Sequence, residues 1–148
     1  MSIPASFDPE QAENLEDIEK QFAVKAVHQA ETYWNLLEKI PGSKLKLSKY
    51  DDDIYDQLML DFPEFRDPSF AKHVDEEWLK SKVGKDRWRP FCEKFNHIED
   101  YNFGTLLRTD SSAEYGQDTT IFVVRIQFYA IEIVRNRAGL NDWACAKK

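Results

Sequence analysis

A chain of 148 residues suits one domain with a sizeable core, and 42% hydrophobic content with ten Phe, six Tyr and four Trp excludes a disordered one. A formal charge of -7 opposes direct attraction to nucleic-acid phosphates or anionic lipid heads. Two cysteines, no signal-peptide pattern and no long apolar run free of charges predict a reducing, cytosolic location.

In chain order, residues 1–7 are expected to form a loose tail and residues 8–148 a single helical domain. Asp8-Pro9-Glu10 carries a helix start, with an acid at the N-cap and a proline at the first helical position, where its missing N–H costs nothing. From Leu15 the apolar residues Ile18, Phe22, Ala26, Ala30, Tyr33, Leu37 and Ile40 recur at steps of three and four, which places them on one helical face. Pro41-Gly42 ends this helix. After a basic link, Asp51-Asp52-Asp53 precedes Ile54, Tyr55, Leu58, Met59 and Phe62, a second short helix with an acidic start. Pro63 and Pro68 bracket a turn, and a third helix is expected from Asp75 to Gly84. A fourth, capped by Asp86, carries Trp88, Phe91, Phe95 and Ile98 on its buried side, provided that Pro90 lies in or just past the first turn.

The last long segment, DTTIFVVRIQFYAIEIVRNRAGLNDW, contains the strand-favouring residues Ile121, Val123, Val124 and Ile126. Its length of about twenty residues without a turn signal exceeds a typical strand. The interior polar residues Arg125, Glu132 and Arg135 recur at steps of seven and three, and Gly139 stands as a C-cap. Together these predict one buried helix. The predicted fold is therefore all-α: a single compact orthogonal bundle of about five helices, with a long ordered loop before the last helix.

Chemistry is sparsely signalled. Cys92 and His97 are five apart and do not stack on one helical face, while His28 and His73 stand alone, so no metal site is expected. Asp51 to Asp53 could hold Mg²⁺ through one or two carboxylates, but acids before an apolar periodic run are also what a helix N-terminus prefers, and the capping reading is the stronger. Gly-X-Ser-X-Gly does not occur, and no glycine-rich turn offers a phosphate or methyl-donor loop. No enzyme and no cofactor are predicted. Basic residues cluster at Lys44, Lys46 and Lys49 and again from Lys80 to Arg89, each time beside acids, as in a solvated surface.

Roughly seventeen residues separate the last two predicted helices, and connections of that length are usually functional or disordered. Tyr101, Phe103, Leu106, Leu107 and Tyr115 supply anchors against disorder, and Arg108, Asp110 and Glu114 supply charges. Two readings stand side by side: a loop packed for its own sake, or a binding loop. On the second, Tyr101, Asn102, Phe103, Arg108, Asp110, Glu114 and Tyr115 form the partner surface, with the C-terminal GLNDWACAKK as a further source of anchors. Trp143 there reads first as a core staple.

The strings NLEDIEKQFAVKAV, QAETYW, PGSKLKLSKYDD, IEDYNFGTLLRTDSSAEYGQ, RIQFYAIEIVRN and GLNDW resemble a fungal form of the small eukaryotic family labelled polysaccharide biosynthesis domain-containing protein 1. The resemblance runs from Asn14 to Trp143 and is weakest between Pro63 and Glu93. It implies a compact, mainly helical, cytosolic protein. It also implies a chaperone of newly made translation elongation factor 1-alpha, acting near the ribosome with the nascent polypeptide-associated complex and without catalytic residues; the missing nucleotide loop predicts that it works by binding alone, without ATP. Contact with the ribosome would then be indirect, with no nucleic acid or membrane bound. The family label itself suggests a rival, a polysaccharide-modifying protein related to methyltransferases, although the chain lacks a methyl-donor loop. A third possibility is an adaptor that joins two folded proteins and has no folding role.

Overall fold

A computed structural model describes residues 12–116 and 118–146, with side-chain surroundings described for 24–116 and 118–145. The predicted tail and the Asp8-Pro9 start lie outside these residues. Helix α1 (Ala12–Lys39) runs first. A single 3₁₀ turn at Gly42–Lys44 follows, then α2 (Asp51–Asp61) and a second 3₁₀ turn at Pro63–Arg66. Three further helices come next: α3 (Pro68–Lys72), α4 (Glu76–Lys80) and α5 (Lys82–Glu93). Strands β1 (Gly104–Arg108) and β2 (Thr120–Val124) then pair antiparallel, before α6 (Arg125–Arg137) and α7 (Asp142–Ala146).

The fold is thus mixed α and β, which corrects the all-α expectation. The segment read as a loop is the first arm and turn of a β-hairpin, and the segment read as one long helix divides at Val124–Arg125 into strand and helix. Its β-branched run TTIFVV pairs with GTLLR in the register Gly104↔Val124 to Arg108↔Thr120. No glycine or proline marks the strand-to-helix junction, because other groups cap the helix. The Gln127 side chain accepts from the Val124 N–H at 3.0 Å, while the carbonyls of Phe103 and Tyr101 accept from the N–H groups of Arg125 and Ile126 at 2.8 and 2.9 Å. The hairpin therefore starts the helix.

Helix α6 is the axis of the core. Ile126, Phe128, Ala130, Ile131, Ile133 and Val134 are all buried, the all-round burial expected of a helix enclosed by other elements. On one side α1 buries Ala26, Ala30, Tyr33 and Leu37, with the Tyr33 ring edge-on to Phe128 of α6 at 5.1 Å. The other side holds an aromatic cluster from α2 to α5, with Phe62 stacked on Trp88 at 4.3 Å and edge-on to Phe91 at 5.9 Å. Arg87 clamps this cluster from outside, paired with both oxygens of Glu64 at 2.6 and 2.9 Å. Helix α7 folds back to α1, where Trp143 meets Trp34 at 5.7 Å.

Several helix limits move from their expected places for local reasons. Ser81 accepts from the Gly84 N–H at 3.0 Å and so opens α5, which places Gly84 in that helix's first turn and not at the end of the preceding one. Pro90 lies inside α5, beyond its first turn. In α2 the buried Asp51 accepts from the N–H groups of Leu47 and Ser48, both at 2.8 Å, and ties the incoming chain to the helix start. Gly139 does close α6: with φ of 75° it sends its N–H to Asn136 at 3.1 Å, and Leu140 donates to Arg135 at 2.9 Å.

Candidate functional site

Strand alternation gives the hairpin two faces. Thr105, Leu107, Ile121 and Val123 are buried toward the core, and Leu106 and Phe122 lie half-buried on the opposite face. Arg108 belongs to that opposite face by alternation, yet it is fully buried. Trp34 and Tyr115 flank its guanidinium at 5.3 and 5.7 Å, and it donates to the carbonyls of Ser111 and Ala113 at 3.0 and 2.9 Å and to the side chain of Asn141. Those two carbonyl contacts fold residues 109–116 over the arginine. Trp143 adds a bond from its indole N–H to the Ser111 carbonyl at 2.8 Å.

Beneath this turn lies a buried polar network. One oxygen of Glu132 accepts from the Tyr33 hydroxyl at 2.7 Å and from Asn141 at 2.9 Å, and stands 3.5 Å from Arg108. The other accepts from Arg135 at 2.7 Å, whose Nε donates to the Ala71 carbonyl at 2.7 Å. Asn136 joins Tyr33 to Asn141 through bonds of 3.1 and 2.7 Å. Burial pushes the Glu132 carboxyl up, but Arg135, Arg108 and the Tyr33 hydrogen bond outweigh it and hold the group below the usual carboxylate range. Burial, reinforced by Glu132, pushes the Tyr33 hydroxyl up. The network therefore holds an ionised Glu132 between two arginines and ties α1, β1, α6 and the turn before α7 together.

Outside the network is a cleft of about 500 Å³ between α1 and the hairpin. Val27, Glu31 and Trp34 form its α1 wall, and Leu106, Tyr115 and Thr120 the other. Val24, one turn before Val27 on the same helix, is exposed as well. An apolar floor with carboxylates of Glu31 and Glu114 at its margin is suited to binding an apolar side chain flanked by positive charge.

The structure separates the seven predicted partner residues. Tyr101, Asn102 and Phe103 lie at the start of β1, by the N-terminus of α6; the other four follow at or beyond its far end, about 17 Å of strand away. Asn102 is exposed, the Tyr101 hydroxyl is 3.5 Å from Glu93, and Phe103 lies under the Lys25 ammonium at 4.2 Å. Asp110 accepts from the N–H and hydroxyl of Ser112 at 2.8 and 2.6 Å and faces His73 at 3.9 Å. Those Ser112 contacts lower its pKa. Arg108 has no exposed surface to offer a partner, and only Glu114 and Tyr115 reach the cleft. Val24, Val27, Trp34 and Leu106 were not among the predicted residues. The signal for the first three was their apolar character at positions off the Ala26–Ala30–Tyr33–Leu37 face.

Comparison with known proteins assigns the family. The family described as "PBDC1 protein" matches residues 18–146. The Protein PBDC1 homolog of Saccharomyces cerevisiae is 63% identical over 97% of this chain and 99% of its own, and that of Schizosaccharomyces pombe is 56% identical over 95% and 97%. Human Protein PBDC1 is 46% identical over 95% of this chain, which spans 58% of the human length. A solution NMR structure of a Saccharomyces cerevisiae protein superposes with a TM-score of 0.85 at 62% identity, covering 98% of this chain and 100% of that one. The chain belongs to the PBDC1 family, the polysaccharide biosynthesis domain-containing protein 1 family. None of these names states an enzymatic activity.

Proposed function

We propose that this PBDC1-family protein is a non-enzymatic, ATP-independent cytosolic chaperone. It binds newly made elongation factor 1-alpha at its GTPase domain and assists its folding, with the nascent polypeptide-associated complex bringing it to the ribosome. The observation that supports this reading most is the α1–hairpin cleft, which presents Val27, Trp34 and Leu106 beside carboxylates. A net charge of -7 speeds encounter with basic faces of an unfinished GTPase domain, and the apolar anchors supply affinity. The same charge repels ribosomal RNA, in keeping with recruitment through a protein adaptor. The buried arginines and Glu132 act as scaffold in this reading and take no part in contact.

The test is pulse-labelling followed by capture of the tagged protein. Newly made elongation factor 1-alpha is expected in the captured fraction, and its soluble yield is expected to fall in cells lacking the protein. Full solubility of the factor in those cells would refute the role.

A further inference from the structure

The hairpin has two edges, and among the described residues α1 packs chiefly against β1. The Arg125 N–H bonds to Phe103 and the Thr109 N–H to Thr119, both at 2.8 Å, at the two ends of the ladder. Alternation then makes Thr105–Val123 and Leu107–Ile121 the hydrogen-bonded pairs, so the N–H and C=O groups of Thr120 and Phe122 point away from β1. Gln127 caps the next outward N–H, that of Val124. Among the described residues no group bonds to the Phe122 N–H or carbonyl. Natural edge strands are usually blunted by lysine, proline or a bulge. Residues 119–124 contain no charge and no proline, and the β2 register runs unbroken.

We infer that the outer edge of β2 is a docking site for an extended, lysine- or arginine-flanked segment of a partner, which joins the sheet as a third strand. Backbone pairing to Phe122 and Thr120 supplies the register, and alternate side chains of the segment extend the half-buried Leu106–Phe122 row. Charge selects the occupant. Asp118 is exposed two residues before β2, and Glu114 and Glu31 stand at the margin of the adjoining cleft. A second copy would bring another chain of charge -7 with the same acids, whereas a basic segment meets opposite charge. The inference draws on the proposed function only for the source of the segment, an incompletely folded client.

The experiment uses the full chain and a synthetic peptide of alternating valine and threonine flanked by paired lysines, with a glutamate-flanked peptide for comparison. By NMR hydrogen exchange, the Phe122 amide is expected to exchange rapidly in the free protein and to slow by about tenfold or more with the lysine peptide alone. Phe122→Pro, which deletes the outward N–H at a position where an edge strand tolerates proline, is expected to weaken peptide binding about tenfold. Phe122→Ala, which keeps the N–H and loses only the side-chain contact of that row, is expected to weaken binding by about threefold or less. Phe122→Lys, which repels the lysine flanks, reports in place of the proline variant if that fails to fold, and is expected to weaken binding. A Phe122 amide already protected in the free protein overturns the inference, since the edge is then covered. Equal losses for the proline and alanine variants also overturn it. Peptide pairing without capture of elongation factor 1-alpha refutes the client and leaves the edge; capture with an unaltered Phe122 amide does the reverse.

Discussion

Arg108 and Glu132 carry most of the consequence held by single side chains. Arginine in a turn-rich, polar segment reads as surface, because charged residues are almost never fully buried unless paired. Its side-chain partners, Glu132 and Asn141, lie far along the chain, so the charge pairing has no local signature. The spacing of Glu132 and Arg135 was visible and spoke for a helix; that both sit inside the core follows only from packing on all sides of α6. Glu132→Gln leaves Arg135 and Arg108 without a counter-ion and is expected to cost about 3 kcal/mol in denaturant unfolding at neutral pH. The sign with pH follows from the lowered carboxyl. The unfolded chain takes up the proton first, so the contribution is full above the ordinary carboxyl value and is lost as pH falls through the folded one. The stability gap between wild type and variant should therefore narrow in acid. A gap that does not change with pH would place the charge elsewhere.

Helices marked by side chains within a few positions of one another could be read directly. The end of α1 by Pro41-Gly42, the acidic start of α2 and the closure of α6 by Gly139 all have local causes. The hairpin does not, since each strand is short and its ladder partner lies beyond an eleven-residue connection, residues 109–119. The β-branched run TTIFVV was the available sign, and segment length was the wrong measure because the strand passes into α6 without a breaker. Gly84 shows how a residue taken as a stop can serve another purpose. A Cβ there would overlap the carbonyl oxygen of Trp78, so the glycine allows α4 and α5 to meet closely. Gly84→Ala should lower stability by about 1–3 kcal/mol despite alanine's higher helix propensity, read from the denaturation midpoint. An unchanged or raised midpoint would show that the α4–α5 junction yields freely.

The molecule as a whole combines an acidic composition with an apolar cleft between α1 and the hairpin, set over a buried polar network. Sequence composition revealed the charge, and the cleft was half readable: Glu114 and Tyr115 were predicted as contact residues, while the α1 wall was hidden behind that helix's stronger core-facing periodicity. Val27→Lys tests the wall with little structural cost, because the side chain is 44% exposed. Its unfolding free energy should stay within about 0.5 kcal/mol of wild type, while client affinity falls about tenfold. Retained affinity would move the contact surface away from α1. The central claim, that the protein recognises a GTPase domain before it has folded, is tested most directly by measuring affinity for elongation factor 1-alpha in two states. Binding to the ribosome-bound nascent GTPase domain should be at least about tenfold tighter than to the native factor. Equal affinity for the two would make the protein an adaptor and not a chaperone.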